Sequence, residues 1–500
     1  MSLLKKLAGE TAIYGLSSIL GRLLNYVLLT PYLTRVFSTE SYGIISDIYA
    51  YVALLMVIFT YRMETAFFRY ASRSETKENA MATASVMLLV STLFLAGILS
   101  FFVPQLSALL GYEKFPEYLY IFIGVLALDT LVAIPFAQLR LQNRPWRFAG
   151  LRLMNILVNI VFLYFFLELC PYLIERDFTW ITNIYNEDFR IGYVFLSNLI
   201  ASTITFFPFI TAYKNLKSRF DKLLAGNMIR YSAPLVISAI AGIINQFIGT
   251  PLLKYLGPGT ISQNLSDVGI FNAAAKIAVL MTLFTQAFNY AAEPFFFRHS
   301  QRDDSVLIYG QVARAFTLTG SIIFLGILSF IDPISLFIGP DFRSGLYILP
   351  FLLLAYLFLG LFYSFSIWYK LADKTYFGGR ISFVGTLITV VLNIVLIPHL
   401  GMLGPAIAAL ACYFFMAAAA YITGSFYYPI PYPVDKMTHY LGGAIVGYIA
   451  TTFIPTFFPN DMIYRILFGG IIFSCYLIFL IFIERKMVMA WLKQKTNNIK

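Results

Sequence analysis

Four ionisable side chains stand inside long apolar runs: Arg22, Asp47, Asp129 and Lys276. A charge held at the middle of a bilayer costs roughly 2.5–3.5 kcal/mol on insertion scales, so each needs a physical reason. Arg22 and Lys276 suit an anion. Arginine presents a planar fork of donors that matches phosphate oxygens, and lysine acts as a point charge. Two readings stand for the pair: substrate groups in a water-filled cavity, or structural ion pairs such as Arg22 with Asp129 or Asp47. Asp47 and Asp129 are candidates for counter-ions or for proton relay, and Asp47 is also near enough to a helix end to reach the headgroups.

Other polar residues recur in the two halves. Asn25 and Asn245 are candidates for sugar-hydroxyl binding or for hydrogen bonds between helices. Pro31 and Pro251 each remove a backbone donor and are candidates for gating kinks or for two equivalent helix ends. Glu64 with Arg69, and Glu293 with Arg298, read either as latches at the inner end of a helix or as solvated interfacial charges worth about 0–1 kcal/mol. No nucleophile–base arrangement, phosphate loop or nucleotide motif appears, so the chemistry on offer is binding, not bond making. The expectation is that the protein is not an enzyme. The three cysteines and three histidines are scattered, so no disulfide framework and no metal site is expected.

The elements that must position these residues are helices in lipid. Hydrophobic residues make up 59% of the 500-residue chain and charged residues 12%, and the mean hydropathy is +0.76. A soluble domain carries roughly 25% charged residues. Between Ile381 and Val434 there is no Lys, Arg, Asp or Glu, and His399-Leu400-Gly401 and Gly404-Pro405 split that stretch into two spans. The pattern predicts fourteen transmembrane helices, near 11–33, 42–61, 81–103, 117–138, 149–169, 192–213, 230–250, 268–291, 313–336, 346–369, 381–398, 404–426, 438–457 and 464–483. The first is read as a retained span, not a signal peptide, because Arg22 interrupts it and no small-residue cleavage site follows.

Basic residues set the orientation. With the N-terminus in the cytoplasm, the outer loops hold only Arg35, Lys114, Arg176, Arg190, Lys254, Arg343 and Arg465. Apart from the intramembrane Arg22 and Lys276, the rest face inward, as the positive-inside rule requires. Both termini are then cytoplasmic. Trp146, Trp180, Trp368 and Trp491 fall near interfaces, the belt position of an amphipathic ring. The net charge of +11 is mostly a property of the inner face and points to anionic lipid, not to nucleic acid.

The two halves repeat with the same polarity. Asn25, Thr30, Pro31 and Leu33 recur as Asn245, Thr250, Pro251 and Leu253. Tyr42-Gly43-Ile44 is answered by Val268-Gly269-Ile270, Glu64 and Phe68-Arg69 by Glu293 and Phe297-Arg298, and Asn159-Ile160-Val161 by Asn393-Ile394-Val395. A repeat of six helices gives two parallel lobes, 1–225 and 226–432, with helices 13 and 14 and a cytoplasmic tail in 433–500. Lobes of this kind surround a central pathway. The fold class expected is an all-α polytopic membrane protein.

Several segments together resemble the polysaccharide and oligosaccharide flippases, of the Wzx type, in the multidrug/oligosaccharidyl-lipid/polysaccharide superfamily. They are Gly15-Leu16-Ser17-Ser18 through Pro31-Tyr32-Leu33, Tyr42-Gly43 and the run to Arg69, Gly269-Ile270-Phe271-Asn272-Ala273-Ala274-Ala275-Lys276, and Asn393-Ile394 with Gly401-Met402-Leu403-Gly404-Pro405-Ala406. The family tends to show Gly-Ala-Ala where this chain has Gly404-Pro405-Ala406. The resemblance implies alternating access in a bacterial cytoplasmic membrane. It implies an undecaprenyl-pyrophosphate-linked oligosaccharide as substrate, for O-antigen (lipopolysaccharide), capsule or exopolysaccharide assembly, with polysaccharide polymerase and glycosyltransferases as working partners. No cofactor is implied. Coupling rests on the membrane potential, H+ or Na+.

Alternatives are a cation-coupled exporter of drugs or metabolites with the same fold, a flippase of the peptidoglycan lipid precursor, a major-facilitator sugar transporter, and a membrane-embedded glycosyltransferase. The major-facilitator reading lacks its glycine-rich basic loop, since residues 61–80 hold no glycine. The enzyme reading lacks a large outer loop or an acidic pair.

Overall fold

The structure is a computed structural model that describes residues 25–72, 77–213, 220–299, 305–372, 374–458 and 461–485. Among the described residues the regular elements are helices, and thirteen of them are long and apolar enough to cross a membrane. Most of the first expected span lies outside the described residues. By internal contacts the chain falls into two units, one of Met1–Leu29 with Ile45–Phe247, the other of Thr30–Ile44 with Ile248–Lys500.

The first unit contains most of α2 (Thr39–Thr60), then α3 (Met63–Ala71), α4 (Lys77–Phe101), α5 (Val103–Leu110), α6 (Glu117–Leu141), α7 (Pro145–Tyr164), α8 (Cys170–Ile174), α9 (Arg190–Phe206) and α10 (Lys222–Phe247). The breaks have local causes. Tyr61 and Arg62 have φ of 30° and 56°, which ends α2 and starts α3. Pro104 opens α5, where the missing N–H is tolerated in the first turn. Helix α7 likewise begins at Pro145. Helix α6 packs on α4 and α9, α9 on α7, and α10 on α3 and α4. At the α3 end the core is Met63, Phe67, Leu88, Ile134 and Met228.

The second unit holds α1 (Thr30–Val36), the first residues of α2, and α11 (Gly249–Leu256), α12 (Ile261–His299), α13 (Ser305–Ser329), α14 (Ile331–Ser335), α15 (Leu349–Phe365), α16 (Ile367–Leu371), α17 (Tyr376–Leu400), α18 (Leu403–Tyr427), α19 (Val434–Thr452), α20 (Ile454–Phe457) and α21 (Met462–Ile483). Helix α12 has 39 residues. At 1.5 Å per residue it exceeds the roughly 30 Å hydrocarbon layer and must project beyond it. Helix α15 packs on α18 and α12, α18 on α17, and α13 on α19. Between helices in lipid the drive is close packing and hydrogen bonding, because hydrocarbon is as apolar as leucine. Trp368 shows both: it is fully buried, stacks on Tyr427 with centroids 5.6 Å apart, and donates Nε1–H to the Ala420 carbonyl at 3.0 Å.

The last two spans are tied down by charge. Glu484, 4% exposed, follows α21 and is held by Arg314 of α13, by Lys436 of α19 at 3.3 Å and by the Tyr440 hydroxyl. Arg314 Nε also donates to Tyr440 at 3.0 Å. Tyr476 of α21 donates to Ser321 of α13 at 2.8 Å. Outward, the helices present large apolar side chains such as Leu93, Phe94, Ile478 and Phe482. In water such a surface would be anomalous; against acyl chains it is the expected solvent face. The protein is a multi-pass membrane protein.

Candidate functional site

In the first unit, three helix faces build one polar track. On α9, Asn198, Ser202 and Thr205 stand at i, i+4 and i+7, which is one face of a helix. Ser202 donates to Asp129 at mid-α6, 2.8 Å away. Asn198 donates to the Tyr49 hydroxyl at 3.1 Å, and Tyr49 lies in the field of Asp129. Thr205 accepts from Asn155 of α7 at 3.0 Å. One turn earlier on α7 is Arg152, whose charge acts on both Asp129 and Glu64. Arg140 and Arg62 also act on Glu64. The guanidinium of Arg152 lies 4.3 Å from the Phe136 ring centroid and that of Arg140 5.1 Å from Phe68. Aromatic faces help to hold these cations in place. The track thus runs from hydroxyl and amide groups, past one carboxylate, to a cluster of arginines around a second.

In the second unit, Asn272 and Lys276 share a face of α12 at i and i+4. Asn272 donates to Thr250 at 3.2 Å and to the Val268 carbonyl at 2.9 Å. Asn393 of α17 is 1% exposed. Its amide donates to the Thr389 carbonyl at 2.7 Å, and its Oδ1 has no protein partner. Lys276 is half-buried among these elements. Lys254 is 1% exposed with Nζ 5.0 Å from the Tyr255 ring, because α11 continues through it to Leu256.

Asp47 is fully buried and accepts the Tyr112 hydroxyl at 2.6 Å. Asn245 is 8% exposed with Oδ1 lacking a protein partner. Pro251 lies in the first turn of the short helix α11, whereas Pro31 follows a π-helical turn, Asn25–Leu29, that runs directly into α1. Arg69 lies 4.2 Å from the Tyr231 ring. Arg22 lies outside the described residues, as do the side chains of Asn25, Glu293 and Arg298. The structure brings Asp129 and Glu64 to the same arginine, Arg152. Among the described residues no three His, Cys, Asp or Glu converge as metal ligands would.

Residues 7–300 match the family described as "Polysaccharide biosynthesis protein". The chain belongs to that family. Among solved structures it is similar to a lipid II flippase, MurJ, in an inward closed conformation, with a TM-score of 0.71, 14% identity, and 95% of this chain and 99% of that chain covered. It is also similar to a multidrug resistance MATE transporter of the MOP superfamily in an inward-facing conformation (TM-score 0.61, 14% identity, 83% and 94% covered) and to a MATE in complex with MaD3S (0.55, 13%, 84% and 95%). No curated protein matches in sequence. At these identities the structural likeness shows the fold, which is the all-helical transporter fold. The family is that of polysaccharide biosynthesis proteins, and the fold is the one shared with these membrane transporters.

Arg152 is not among the intramembrane charges that the sequence predicts. The fifth span is expected from residue 149, which leaves Arg152 at its inner rim. Pro145 starts α7 a turn earlier and carries Arg152 two turns into the helix. The signal was the Arg152–Asn155 spacing within an apolar run. Arg314 is displaced in the same way, because α13 begins at Ser305 and not near 313.

Proposed function

We propose that this protein carries a lipid-linked oligosaccharide, on an undecaprenyl-pyrophosphate carrier, from the inner to the outer face of a bacterial cytoplasmic membrane by alternating access. The observation that carries this is that three arginines, Arg62, Arg140 and Arg152, act on the Glu64 carboxylate, with Arg152 acting also on Asp129, so that cations outnumber carboxylates here. Arginine pairs with phosphate oxygens through two parallel N–H bonds, which makes a diphosphate a better ligand for this end of the track than a cationic drug. The hydroxyl and amide groups of Ser202, Asn198 and Asn155 supply partners for sugar hydroxyls. Outward movement of roughly two negative charges from a negative interior gains about 2.3 kcal/mol per charge per 100 mV, so the membrane potential suffices as a driving force. Glycosyltransferases that build the repeat unit and a polymerase that consumes it are the partners this role requires.

The test is flipping in proteoliposomes, with lipid-linked oligosaccharide, peptidoglycan lipid precursor and a cationic drug offered separately. Transport of the first, lost in Arg152→Gln with the protein still inserted, supports the proposal. Transport of the precursor alone, or of the drug alone, replaces it with the corresponding reading.

A further inference from the structure

Thirty residues of the first unit, Pro145–Ile174, form one span through α7, a π-helical turn (Phe165–Leu169) and α8. At 1.5 Å per residue its length is roughly 45 Å, the thickness of a bilayer with its headgroups and not of the hydrocarbon alone. Arg144 and Arg147 mark one end of the span, so the end of α8 stands at headgroup depth on the other side. The lipid-facing side is a stripe of exposed apolar residues, Leu157, Val161, Tyr164, Leu169 and Tyr172. Its steps of four, three, five and three residues keep to one face, because the step of five crosses the π-helical turn, which carries an extra residue.

Beyond α8 the chain doubles back. Asp177 has φ 64°, its N–H donates to the Ile174 carbonyl at 3.0 Å, and the Phe178 N–H donates to the Leu173 carbonyl at 3.1 Å. Those are the two bonds of a Schellman ending, with an aspartate in the left-handed place. The 3-10 turn that follows, Thr179–Asn183, packs against α8 and so shares its depth. Buried Ile181 and Tyr185 pin it. Tyr185 stacks on Tyr193 of α9 with centroids 5.0 Å apart, and Tyr193 stacks on Phe166 at 4.7 Å. The Tyr193 hydroxyl accepts from the Asn186 backbone N–H at 2.7 Å.

The free side of this pinned turn is also apolar. Phe178, Trp180 and Ile184 are 46%, 56% and 61% exposed. Single exposed apolar residues are ordinary, but three on one fixed turn beside a lipid-facing stripe form a patch. No charged residue lies between Phe178 and Asn186, whereas exposed Glu175, Arg176 and Asp177 precede the patch and Glu187 and Asp188 follow it. Apolar rings between polar flanks, at headgroup depth, match the membrane interface, where amphipathic rings collect. The flanks are mainly acidic, so attraction to anionic lipid heads is not what holds the turn there.

We infer that the segment from Phe178 to Ile184 is an interfacial anchor whose partner is the bilayer surface itself. Phe178, Trp180 and Ile184 lie in the boundary between headgroups and acyl chains, and they continue the lipid-facing stripe that Tyr172 ends. The anchor sets the depth of α7 and α9, the two helices that carry Arg152, Asn155, Asn198 and Ser202. It does not depend on which substrate the protein carries.

The experiment is tryptophan fluorescence of the full chain in liposomes made with phosphatidylcholine brominated near the head or near the bilayer centre. Trp146, Trp368 and Trp491 are common to the wild type and Trp180→Phe, so the difference between the two isolates Trp180. The expected result is a Trp180 emission lowered about twofold by bromine near the head, less by bromine at the centre, and little by acrylamide in the water, as burial of about 5–10 Å implies. As a second reading, an environment-sensitive fluorophore on Ile184→Cys, in a Cys475→Ser background, should emit as in an apolar medium. Trp180 quenched by acrylamide and untouched by either lipid would overturn the anchor and put the turn in water. Trp180 shielded from both quenchers would also overturn it, with a protein as the occupant of the patch.

Discussion

Gly43 and Gly269, which occupy matching places in the sequence repeat, face each other across a helix crossing in the second unit. A Cβ on Gly43 would stand 3.2 Å from the Gly269 nitrogen, and one on Gly269 would stand 3.0 Å from the Gly43 nitrogen. The same two atoms would come within 1.8 Å of the Leu265 carbonyl oxygen and 2.0 Å of the Thr39 oxygen. The start of α2 and the body of α12 therefore meet backbone to backbone, a contact that only small residues allow.

That closeness sets a stability prediction. The atoms a new methyl would strike are backbone, so no side chain can turn aside. Gly43→Ala and Gly269→Ala should each destabilise the protein by about 1–3 kcal/mol or prevent insertion, as overpacking does. Gly97→Ala, where nothing lies within 4 Å, should stay within about 0.5 kcal/mol of wild type. Thermal unfolding in detergent reads all three; a Gly269→Ala protein as stable as Gly97→Ala would mean the helices do not cross here.

How far the sequence exposes this architecture depends on what each feature is made of. Span positions were legible because hydrocarbon demands unbroken apolar runs: helix 438–457 is found as α19 and α20, and 464–483 as α21. Span ends were less so. Lys254 looked like a loop residue because the seventh run appeared to end at 250, yet α11 continues through it and buries it. The break at Tyr61-Arg62 carries no glycine or proline to announce it. Asp129 and Lys276 were found because a charge within an apolar run is conspicuous. The partners Ser202 and Tyr112, for Asp129 and Asp47, are products of tertiary packing that no local spacing reveals.

Asp129 separates two roles by kinetics. As a counter-ion it partly cancels Arg152, and Asp129→Asn keeps a group that accepts from Ser202 while removing the charge. The expected outcome is an apparent KM for the anionic lipid lowered several-fold with kcat preserved, since a neighbouring charge at an effective dielectric near 20 is worth on the order of a few kcal/mol before screening. Initial flipping rates over a substrate range provide the measurement. A collapse of kcat with KM unchanged would make Asp129 a coupling carboxylate instead.

Glu484 predicts an order of effects. It is 4% exposed while Arg314 is 19% and Lys436 34% exposed. Glu484→Ala removes the buried carboxylate that Arg314, Lys436 and Tyr440 share, which should cost about 3 kcal/mol, the lower end for a broken buried pair. Lys436→Ala removes the more exposed partner and should cost less than about 1 kcal/mol. Chemical or thermal unfolding that ranks the two equally would show that Arg314 does not depend on this carboxylate for its place.

Arg62 joins strain to charge in one residue. Its φ of 56° is unfavourable for most residues other than glycine and asparagine, and its guanidinium is one of the cations acting on Glu64. Relief of a left-handed conformation is worth roughly 1 kcal/mol, so Arg62→Gly should raise the unfolding midpoint slightly. The same change removes one of the cations that the proposed function assigns to the diphosphate, so flipping should fall several-fold on that proposal. Arg62→Asn, which also tolerates this backbone, should behave alike. The two readouts are expected to move in opposite directions. If transport is kept while stability rises, the strained turn serves only to redirect α3 and the Arg62 side chain is not on the substrate path. If stability drops, its side-chain contacts outweigh the strain.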